Sequence, residues 1–576
     1  MGESFTFSGV MISLAIVMIF ITLAYVILLA FSRQSGEICG WELRGAWRRI
    51  AAVARTTVAE GVRVRFASGF AAVILIAVPL FWLTADGDGT VKGRIQMFIT
   101  YSLGFAAFML ALLTIFFSCR SLSVEIGSRQ IYAIATKPMP RWQLLVGKWL
   151  GIMLFNVTLL LVVFLGAWAG TKATVSRFKS HLARELVTYC ALTEDQAAVA
   201  VAALDHVRGI GKQGADSPVI DAWAEALGLP KEKIIEWRTK LPESTRVDVR
   251  RFDEVRRQVM VARASISPPM PDLNQEIERI YGKLKTADRL PEDWSDRRIR
   301  EQIEAELRGA LTTIQPGMAR VWKLAGPRPE TGPEFIMSVR FKLQASRDLP
   351  AVTLGEMALE KDTLICGWGV GNPSKANYVE RQDVFPVRTV NELEIPVNCI
   401  EEDGTIQLAF ANLDPRQVDV TIDLPDDLQV LYRVGSYEQN LGRAFLAVLI
   451  PLTCLTSFGV CASTFLSLPV GSLIIVTLYI LSMSMGFVAE SFAATPEYVP
   501  EHPPLSYEIR RAAIGAVDWA LYIGDVDPVR KLIEGRAVDW PLIWQNVWRH
   551  VLLKSTIVMA AGVMIFRRRE LASVIV

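Results

Sequence analysis

The sequence predicts an α-helical polytopic membrane protein with a large α+β domain outside the membrane. Hydrophobic residues make up 51% of the 576 residues, yet the chain also contains 61 Lys and Arg and 59 Asp and Glu. Such a composition indicates that apolar and charged stretches are segregated along the chain. Three observations support this interpretation: long apolar runs, clusters of positive charge between some of them, and period-two alternation in a central insert.

Seven apolar stretches approach or reach the roughly 20 residues that a helix needs to cross a bilayer. We expect helices, because lipid offers no partner for an open backbone N–H or C=O. The first stretch follows a short acidic tail without a small-residue cleavage site, so we interpret it as a retained span, not a signal peptide. The stretches are about 8–31, 66–84, 96–118, 149–171, 443–465, 468–489 and 547–566.

Positive charge predicts the orientation, because Lys and Arg are retained in cytoplasmic loops. The loops after the first and third stretches are rich in arginine, and Arg567, Arg568 and Arg569 follow the last one. All of these lie on one side if the N-terminus is outside and seven spans alternate. The sequence therefore predicts a multi-pass protein of the cell (inner or plasma) membrane, with residues 172–441 extracytoplasmic.

The first part of the insert has a helical, strongly charged pattern. Residues Thr193 to Gln196 fit a capping box, in which the Gln196 side chain reaches back to the Thr193 N–H. We expect a helix over 197–207 behind this box, and the prolines at 268–271 interrupt the series. Further helices are expected near 231–240, 246–263, 273–286 and 295–313.

From about 333 to 440 the hydrophobic period changes to two. Alternation over 335–343, 406–410 and 418–424, with turns such as Asp403-Gly404, predicts a β-sandwich. Trp368, between two glycines, fits either a core tryptophan of that sandwich or an aromatic presented to a ligand.

The sequence contains no recognisable catalytic or metal-binding motif. The seven cysteines lack C-x-x-C spacing, the four histidines lack H-E-x-x-H spacing, and Gly147-Lys148 is followed by Trp149 instead of the Ser or Thr of a P-loop. We therefore predict no catalytic residue, no metal site and no cofactor bound by this chain. Cys366 and Cys399 form a disulfide if the insert faces an oxidising compartment, or else remain thiols.

The most informative segment runs from Arg120 to Gly151. A helix leaves the membrane near Arg120, a short amphipathic piece follows, and Pro138 and Pro140 turn the chain. Gly147-x-x-x-Gly151 then starts a new span with a small-residue packing face. A lone GxxxG usually indicates helix packing alone, whereas the whole ordered string is much more specific.

This string resembles the permease subunits of ATP-binding cassette (ABC) transporters of the type-2 exporter (ABC-2) kind, most closely those of the nitrous-oxide-reductase copper-maturation system. In that family, an acidic-glycine stretch, a Lys-Pro-x-x-Arg turn and a Gly-Lys-x-x-Gly helix start form the loop that docks onto the ATPase. Residues 55–65 look like the family's elbow helix, and 538–540 with 566–571 look like its C-terminal signature. The resemblance covers roughly 55–171 and 443–573, and the insert departs from the compact six-span pattern.

The resemblance implies that the chain is a permease subunit without enzymatic activity of its own. ATP and Mg²⁺ would bind a separate ABC ATPase, and a second permease copy or homologue would complete the complex among membrane lipids, with no nucleic acid as a partner. Coupling to the ATPase is implied for Glu125, Gly127, Arg129, Lys137, Pro138, Arg141, Gly147 and Lys148, and the elbow helix for Arg55, Glu60, Arg63 and Arg65.

Alternatives remain open at this point. The chain could be a membrane-anchored sensor or scaffold whose external domain binds a partner, whereas a membrane enzyme would need a catalytic cluster that the sequence does not show. Arg549 and Lys554, at the outer end of the last predicted span, either snorkel to the interface or form a cationic mouth for an anionic substrate.

The predicted organisation has eight parts. They are an extra N-terminal span (1–32), a cytoplasmic loop with an elbow helix (33–68), the first half of the membrane core with a coupling loop at 120–148 (69–171), a helical extracytoplasmic region (172–330), a β-sandwich-like domain (331–441), a hairpin of spans (442–489), a re-entrant or amphipathic extracytoplasmic loop (490–546), and the last span with a basic C-terminus (547–576).

Overall fold

A computed structural model gives the structure of the protein. The first predicted span, the proline-rich stretch near 496–504, and Lys137 and Pro138 lie outside the residues that it describes. The described residues are 42–85, 87–131, 139–204, 218–269, 271–287, 296–326, 337–354, 357–375, 378–395, 399–401, 403–493 and 528–569.

Helices make up most of the described structure. Two of them continue into π-helical turns, at Val255–Val259 and Val547–Ser555. In chain order they are α1 (Glu42–Arg63), α2 (Arg65–Thr84), α3 (Val91–Gly127), α4 (Arg141–Cys190), α5 (Glu194–Ala203), α6 (Pro218–Leu227), α7 (Lys231–Lys240), α8 (Glu243–Glu254), α9 (Asn274–Thr286), α10 (Asp296–Thr312), α11 (Tyr437–Ser463), α12 (Leu468–Ala493), α13 (Pro528–Ile533) and α14 (Trp540–Arg568).

Among the described residues, five helices are long and apolar enough to cross a membrane: α2, α3, α4, α11 and α14. A shorter apolar helix, Leu468–Ser484, forms the first part of α12. These helices are consistent with a multi-pass membrane protein. The last span begins at Trp540, seven residues before the predicted boundary at 547, because 540–546 is helical and continuous with the apolar stretch.

The helix bundle has two chemically different ends. The loop end, as we call it, carries the last turns of α3 and α14 and the first turns of α4, with the first half of α1 packed beside them, and is rich in arginine. At the domain end, α4 extends far beyond the apolar stretch and packs with α5 to α8, whose buried side chains belong to the same hydrophobic core as the bundle.

Local signals correctly predicted several helices of the insert. The capping box at Thr193 and Gln196 is present in both directions, and α7, α9 and α10 match their predicted ranges within two residues. The prediction of one helix over 246–263 was wrong at its end. The helix closes with the π-helical turn, and Val261–Ile266 is a strand, because Ala262 and Arg263 pair with a strand far along the chain.

The strands form two four-stranded antiparallel sheets and two small ones. The large sheets have the orders β1-β13-β4-β10 and β3-β11-β8-β9. The strands are β1 (Val261–Ile266), β2 (Thr313–Ile314), β3 (Ala319–Ala325), β4 (Met337–Lys342), β5 (Gln344–Ala345), β6 (Val352–Leu354), β7 (Met357–Leu359), β8 (Thr363–Val370), β9 (Val379–Pro386), β10 (Val390–Ile395), β11 (Thr405–Asn412), β12 (Val420–Thr421) and β13 (Leu428–Ser436).

The two large sheets share one core, as a β-sandwich requires. Phe341 of β4 lies 4.5 Å from Trp368 of β8, and Trp368 lies 5.0 Å from Phe410 of β11, measured between ring centroids. Trp368 is fully buried, which supports its interpretation as a core residue. This sheet domain begins at Val261 and not at 331, because β1, β2 and β3 belong to its sheets and the α9–α10 hairpin is inserted between β1 and β2.

The Cys366–Cys399 disulfide is not formed. Cys366 is a buried free thiol that donates to the Leu364 carbonyl, 3.6 Å away. Its side chain points into the apolar core between the sheets, and this burial raises the pKa of the thiol.

The sheet domain is joined directly to the helix bundle. Strand β13 ends at Ser436, whose hydroxyl accepts from the Gln439 N–H and so caps α11 without a linker. Gly535 and Ala537, just before α14, exchange backbone hydrogen bonds with Arg263 of β1. Arg340 of β4 adds an ion pair to Glu534 at 2.7 Å.

Candidate functional site

Helix α1 packs against the first turns of α4 through the two glycines of the GxxxG pattern. A Cβ atom at Gly147 would lie 2.6 Å from Val53 Cβ, and one at Gly151 would lie 2.6 Å from Thr57 Cβ and 2.7 Å from the Ala54 carbonyl. Only glycine allows this approach, since real Cβ atoms do not sit below 3.0 Å from such neighbours. The small-residue face predicted from the sequence therefore contacts α1.

Lys148, one residue after the first glycine, joins three helices at the loop end. Its Nζ forms an ion pair with Glu125 Oε1 of α3 and lies 3.3 Å from Glu60 Oε2 of α1. The lysine side chain is 5% exposed, and those of Glu60 and Glu125 are 30% and 16% exposed. Two carboxylates and one ammonium leave this cluster with a formal charge of about −1 when all three are ionised.

The Glu125 carboxylate has a hydrogen-bond partner for only one of its two oxygens among the described residues. Glu125 Oε2 is buried and has no hydrogen-bond partner within the described part of the chain. A buried charged oxygen without a hydrogen bond costs free energy. The ion pair with Lys148 therefore offsets only part of the desolvation cost of Glu125.

Arg141 begins α4 and holds the far end of α14. Its guanidinium donates to the carbonyls of Phe566, Arg567 and Arg569, the latter two at 3.0 Å, and lies 5.4 Å from the centroid of the Phe566 ring. The last carbonyls of a helix have no intrahelical partners, and a cation there also favours the helix dipole. Arg141, which matches the arginine of the Lys-Pro-x-x-Arg turn, thus contacts the segment that resembles the C-terminal signature of ABC-2 permeases.

Two further contacts at this end were not predicted from the sequence. Arg49 Nε of α1 donates to Gln143 Oε1 of α4 at 2.8 Å, and the Arg569 guanidinium donates to the Thr464 carbonyl between α11 and α12. Each of these arginines lies 94 or more residues from its partner, so no local sequence pattern indicates the pairing. Only the arginine-rich composition of this end suggested that such contacts form here.

The remaining predicted coupling and elbow residues in the described part of the chain face outward. Gly127, the last residue of α3, and Arg129, in the turn that follows, are exposed, and Arg129 has a positive φ of 60°. Arg55 and Arg63 are exposed on the face of α1 opposite α4, and Arg65 is exposed at the start of α2. Exposed residues around a buried core of ion pairs can contact a partner, whereas Lys148 acts within the chain.

Arg549 and Lys554 lie in different environments. Arg549 is exposed, whereas Lys554 is only 2% exposed and lies in the π-helical turn of α14. Lys554 lies on the buried face of this helix, packed inside the bundle. His550, one turn earlier, is fully buried.

Within the described residues, no group of three or more His, Cys, Asp or Glu side chains is placed to hold a metal ion. Comparison of the chain with family models, with curated proteins and with solved structures finds no match.

Proposed function

We propose that this chain is the membrane-spanning permease subunit of an ATP-driven ABC transporter. The proposal rests on the ordered string between Arg120 and Gly151, on its resemblance to ABC-2 permeases, and on the contacts that its residues make. A separate ATPase would bind and hydrolyse ATP, so the catalytic residues would lie in another polypeptide.

The observation that supports it best is the position of the first turns of α4. Within eight residues, Arg141 contacts the end of α14 and Lys148 contacts α1 and α3. A partner that binds the exposed turn after α3 and moves the start of α4 would displace α1, α3 and α14 as well, because Arg141 and Lys148 contact them. Coupling requires that one bound partner shifts several helices together.

Charge favours placing the loop end in the cytoplasm. Arg49, Arg129, Arg141 and Arg567 all lie at this end, which agrees with positive-inside topology. The domain end, with α5 to α8 and the sheet domain, would then face the outside, and transport or mechanical work would be directed at an extracytoplasmic substrate.

Purification of the full chain from its native membrane in mild detergent tests the proposal. We expect a polypeptide that binds ATP to be retained, with ATP turnover that Glu125→Arg reduces while the chain remains inserted. A chain that retains only an extracytoplasmic protein and no ATP-binding partner would instead support the sensor or scaffold function.

A further inference from the structure

Exposed aromatic side chains of three helices lie towards the domain end of the bundle. Tyr101 of α3, Trp168 of α4 and Trp540 of α14 all have exposed rings. Each ring is apolar but carries one O–H or N–H group, and such side chains are enriched where a bilayer meets water. We call these three residues the aromatic belt.

Tyr101 and Trp168 lie at one depth of the bundle. A Cβ atom on Gly170 of α4 would lie 2.5 Å from the Phe98 ring of α3, so these two residues face each other. The two helices run in opposite directions, because α3 ends and α4 begins at the loop end. At a rise of about 1.5 Å per residue, Tyr101 lies roughly 4.5 Å closer to the loop end than Phe98. Trp168 lies about 3 Å closer to the loop end than Gly170, so the two belt rings share one depth.

Trp540 lies at nearly the same depth. The rings of Phe164 on α4 and Phe445 on α11 are 5.5 Å apart between centroids, which sets the register of these two helices. Two residues earlier on α11, the Arg443 guanidinium carbon lies 5.5 Å from the centroid of the Trp540 ring. Helix α11 begins at the domain end, so Arg443 is about 3 Å nearer that end than Phe445. Trp540 therefore lies within about one turn of Trp168.

Along α4 the exposed side chains change in character at the belt. Lys172, about one turn on the domain side of Trp168, is exposed and pairs with Glu438 of α11 at 2.8 Å. On the other side of Trp168, the next two turns expose aliphatic side chains, including those of Leu165 and Leu161. The order from the domain end inward is therefore charged, aromatic, aliphatic.

Helix α14 repeats this order although it runs the opposite way. Asp539, just before its first residue, is exposed, as are Trp540 and, two turns further along, Trp548. Aliphatic side chains, beginning with Leu553, follow on the exposed face. Arg549, exposed between Trp548 and Leu553, is directed back towards the belt, because the Cα–Cβ bonds of a helix tilt to its N-terminus.

This order favours lipid over protein as the partner of the belt. A bilayer imposes it on every helix that crosses, because head groups, interface and acyl chains follow one another in depth. A protein partner would have no reason to impose the same order on two helices of opposite direction. The exposed aliphatic side chains of α4 and α14 continue the same surface into the acyl region.

We propose that the aromatic belt lies in the lipid interface at the domain end and holds the sheet domain at the membrane surface. Ala537, whose N–H donates to the Arg263 carbonyl of β1 at 2.7 Å, precedes Trp540 by three residues. Three residues extend over about 10 Å at most, so this edge of the sheet domain is held close to the head groups. A molecule bound there is therefore positioned beside lipid. This placement does not depend on the proposed transport function.

Fluorescence quenching by brominated lipid tests the placement in the full chain. Nanodiscs are prepared from phosphatidylcholine brominated either high on its acyl chains, next to the head group, or at the chain ends. The emission of one tryptophan is the difference between wild type and a variant in which phenylalanine replaces it, a change that an exposed position tolerates. Trp168→Phe and Trp540→Phe report the belt, and Trp548→Phe reports a point about 12 Å further along α14.

We expect the upper bromines to quench Trp168 and Trp540 at least about twofold more than the terminal bromines, because roughly 15 Å of acyl chain separates the two positions. For Trp548 this ratio should be lower. Trp223 is the control, since its buried ring N–H donates to the Ala200 carbonyl at 2.9 Å, and neither lipid should quench it.

Three results would contradict the proposal. Stronger quenching of Trp168 and Trp540 by the terminal bromines would put the belt in the middle of the bilayer. Quenching by iodide in water instead of by lipid would put it outside the bilayer, and quenching by neither would mean that protein covers the rings. None of these measurements needs an ATPase, so this proposal and the permease function fail independently.

Discussion

The guanidinium of Arg141 donates to the main-chain carbonyl of Arg567 at 3.0 Å, so the first turn of α4 holds the last turn of α14. Two further carbonyls of the same helix end accept from this side chain. The start of α4 and the end of α14 are therefore held together. The following predictions concern this contact and its neighbours.

Replacement Arg141→Gln should release the end of α14. Hydrogen bonds from a charged donor contribute roughly 1.5–3 kcal/mol each at most, and several are lost here. We expect faster amide hydrogen exchange at Arg569, whose N–H donates to the Ile565 carbonyl at 3.1 Å. Arg129→Gln, at an exposed arginine of the same end, is the matched control and should leave this exchange unchanged.

Replacement Lys148→Met should destabilise the chain by up to about 3–5 kcal/mol, because it leaves the partly buried carboxylates of Glu60 and Glu125 without their cation. Lys172→Met is the control, since the Lys172–Glu438 pair is 45% and 36% exposed and should contribute only about 0–1 kcal/mol. Thermal or denaturant unfolding in detergent measures both. Equal losses in the two variants would mean that the Lys148 cluster is not a buried junction.

Replacement Gly151→Ala should separate α1 from α4. Its new Cβ would meet the Ala54 carbonyl at 2.7 Å, and backbone atoms cannot move aside cheaply. The melting temperature should fall, although alanine is intrinsically the better helix former by about 1 kcal/mol. Gly104→Ala on α3, where nothing lies within 4 Å, should instead be neutral or stabilising. A neutral Gly151→Ala would contradict the close α1–α4 contact.

The contact between the sheet domain and the segment that joins α13 to α14 should weaken in acid. Burial alone would raise the pKa of Glu534, but its ion pairs with Arg340 and Arg530 hold that pKa below its usual value. Because the folded-state pKa is depressed, the stabilisation is present above the ordinary glutamate pKa and is lost as the pH falls through the lower folded value. Glu534→Gln should therefore lose more stability at pH 7 than in acid, measured as the difference in melting temperature from wild type. A difference independent of pH would contradict the Arg340–Glu534 pair.

Local sequence signals predicted much of the fold. Features that depend only on residues within a few turns could be predicted. They include the Thr193 capping box, the charged helix at Lys231–Lys240 and the lengths of the apolar helices α3 and α4. Strand β1 was missed, because its identity depends on pairing with β13, whose Ser436 lies far along the chain from Val261. A short segment such as 261–266 is compatible with helix or strand until that partner is known.

The sequence suggested which residues form the candidate site but not which of them contact one another. The string from Glu125 to Gly151 gave no indication that the Lys148 side chain is buried and hydrogen-bonds to Glu60, 88 residues earlier. The burial of Lys554 could not be predicted either, because it depends on the π-helical turn and on the helices packed around it.

The most direct test of the proposed coupling is cross-linking from the exposed turn after α3. Arg129→Cys carries a photoreactive maleimide in the full chain, purified with its companions from native membranes. We predict a covalent adduct with an ATP-binding polypeptide, and labelling of this cysteine in intact cells only by reagents that cross the membrane. Labelling by impermeant reagents from outside, or an adduct with lipid alone, would contradict the account.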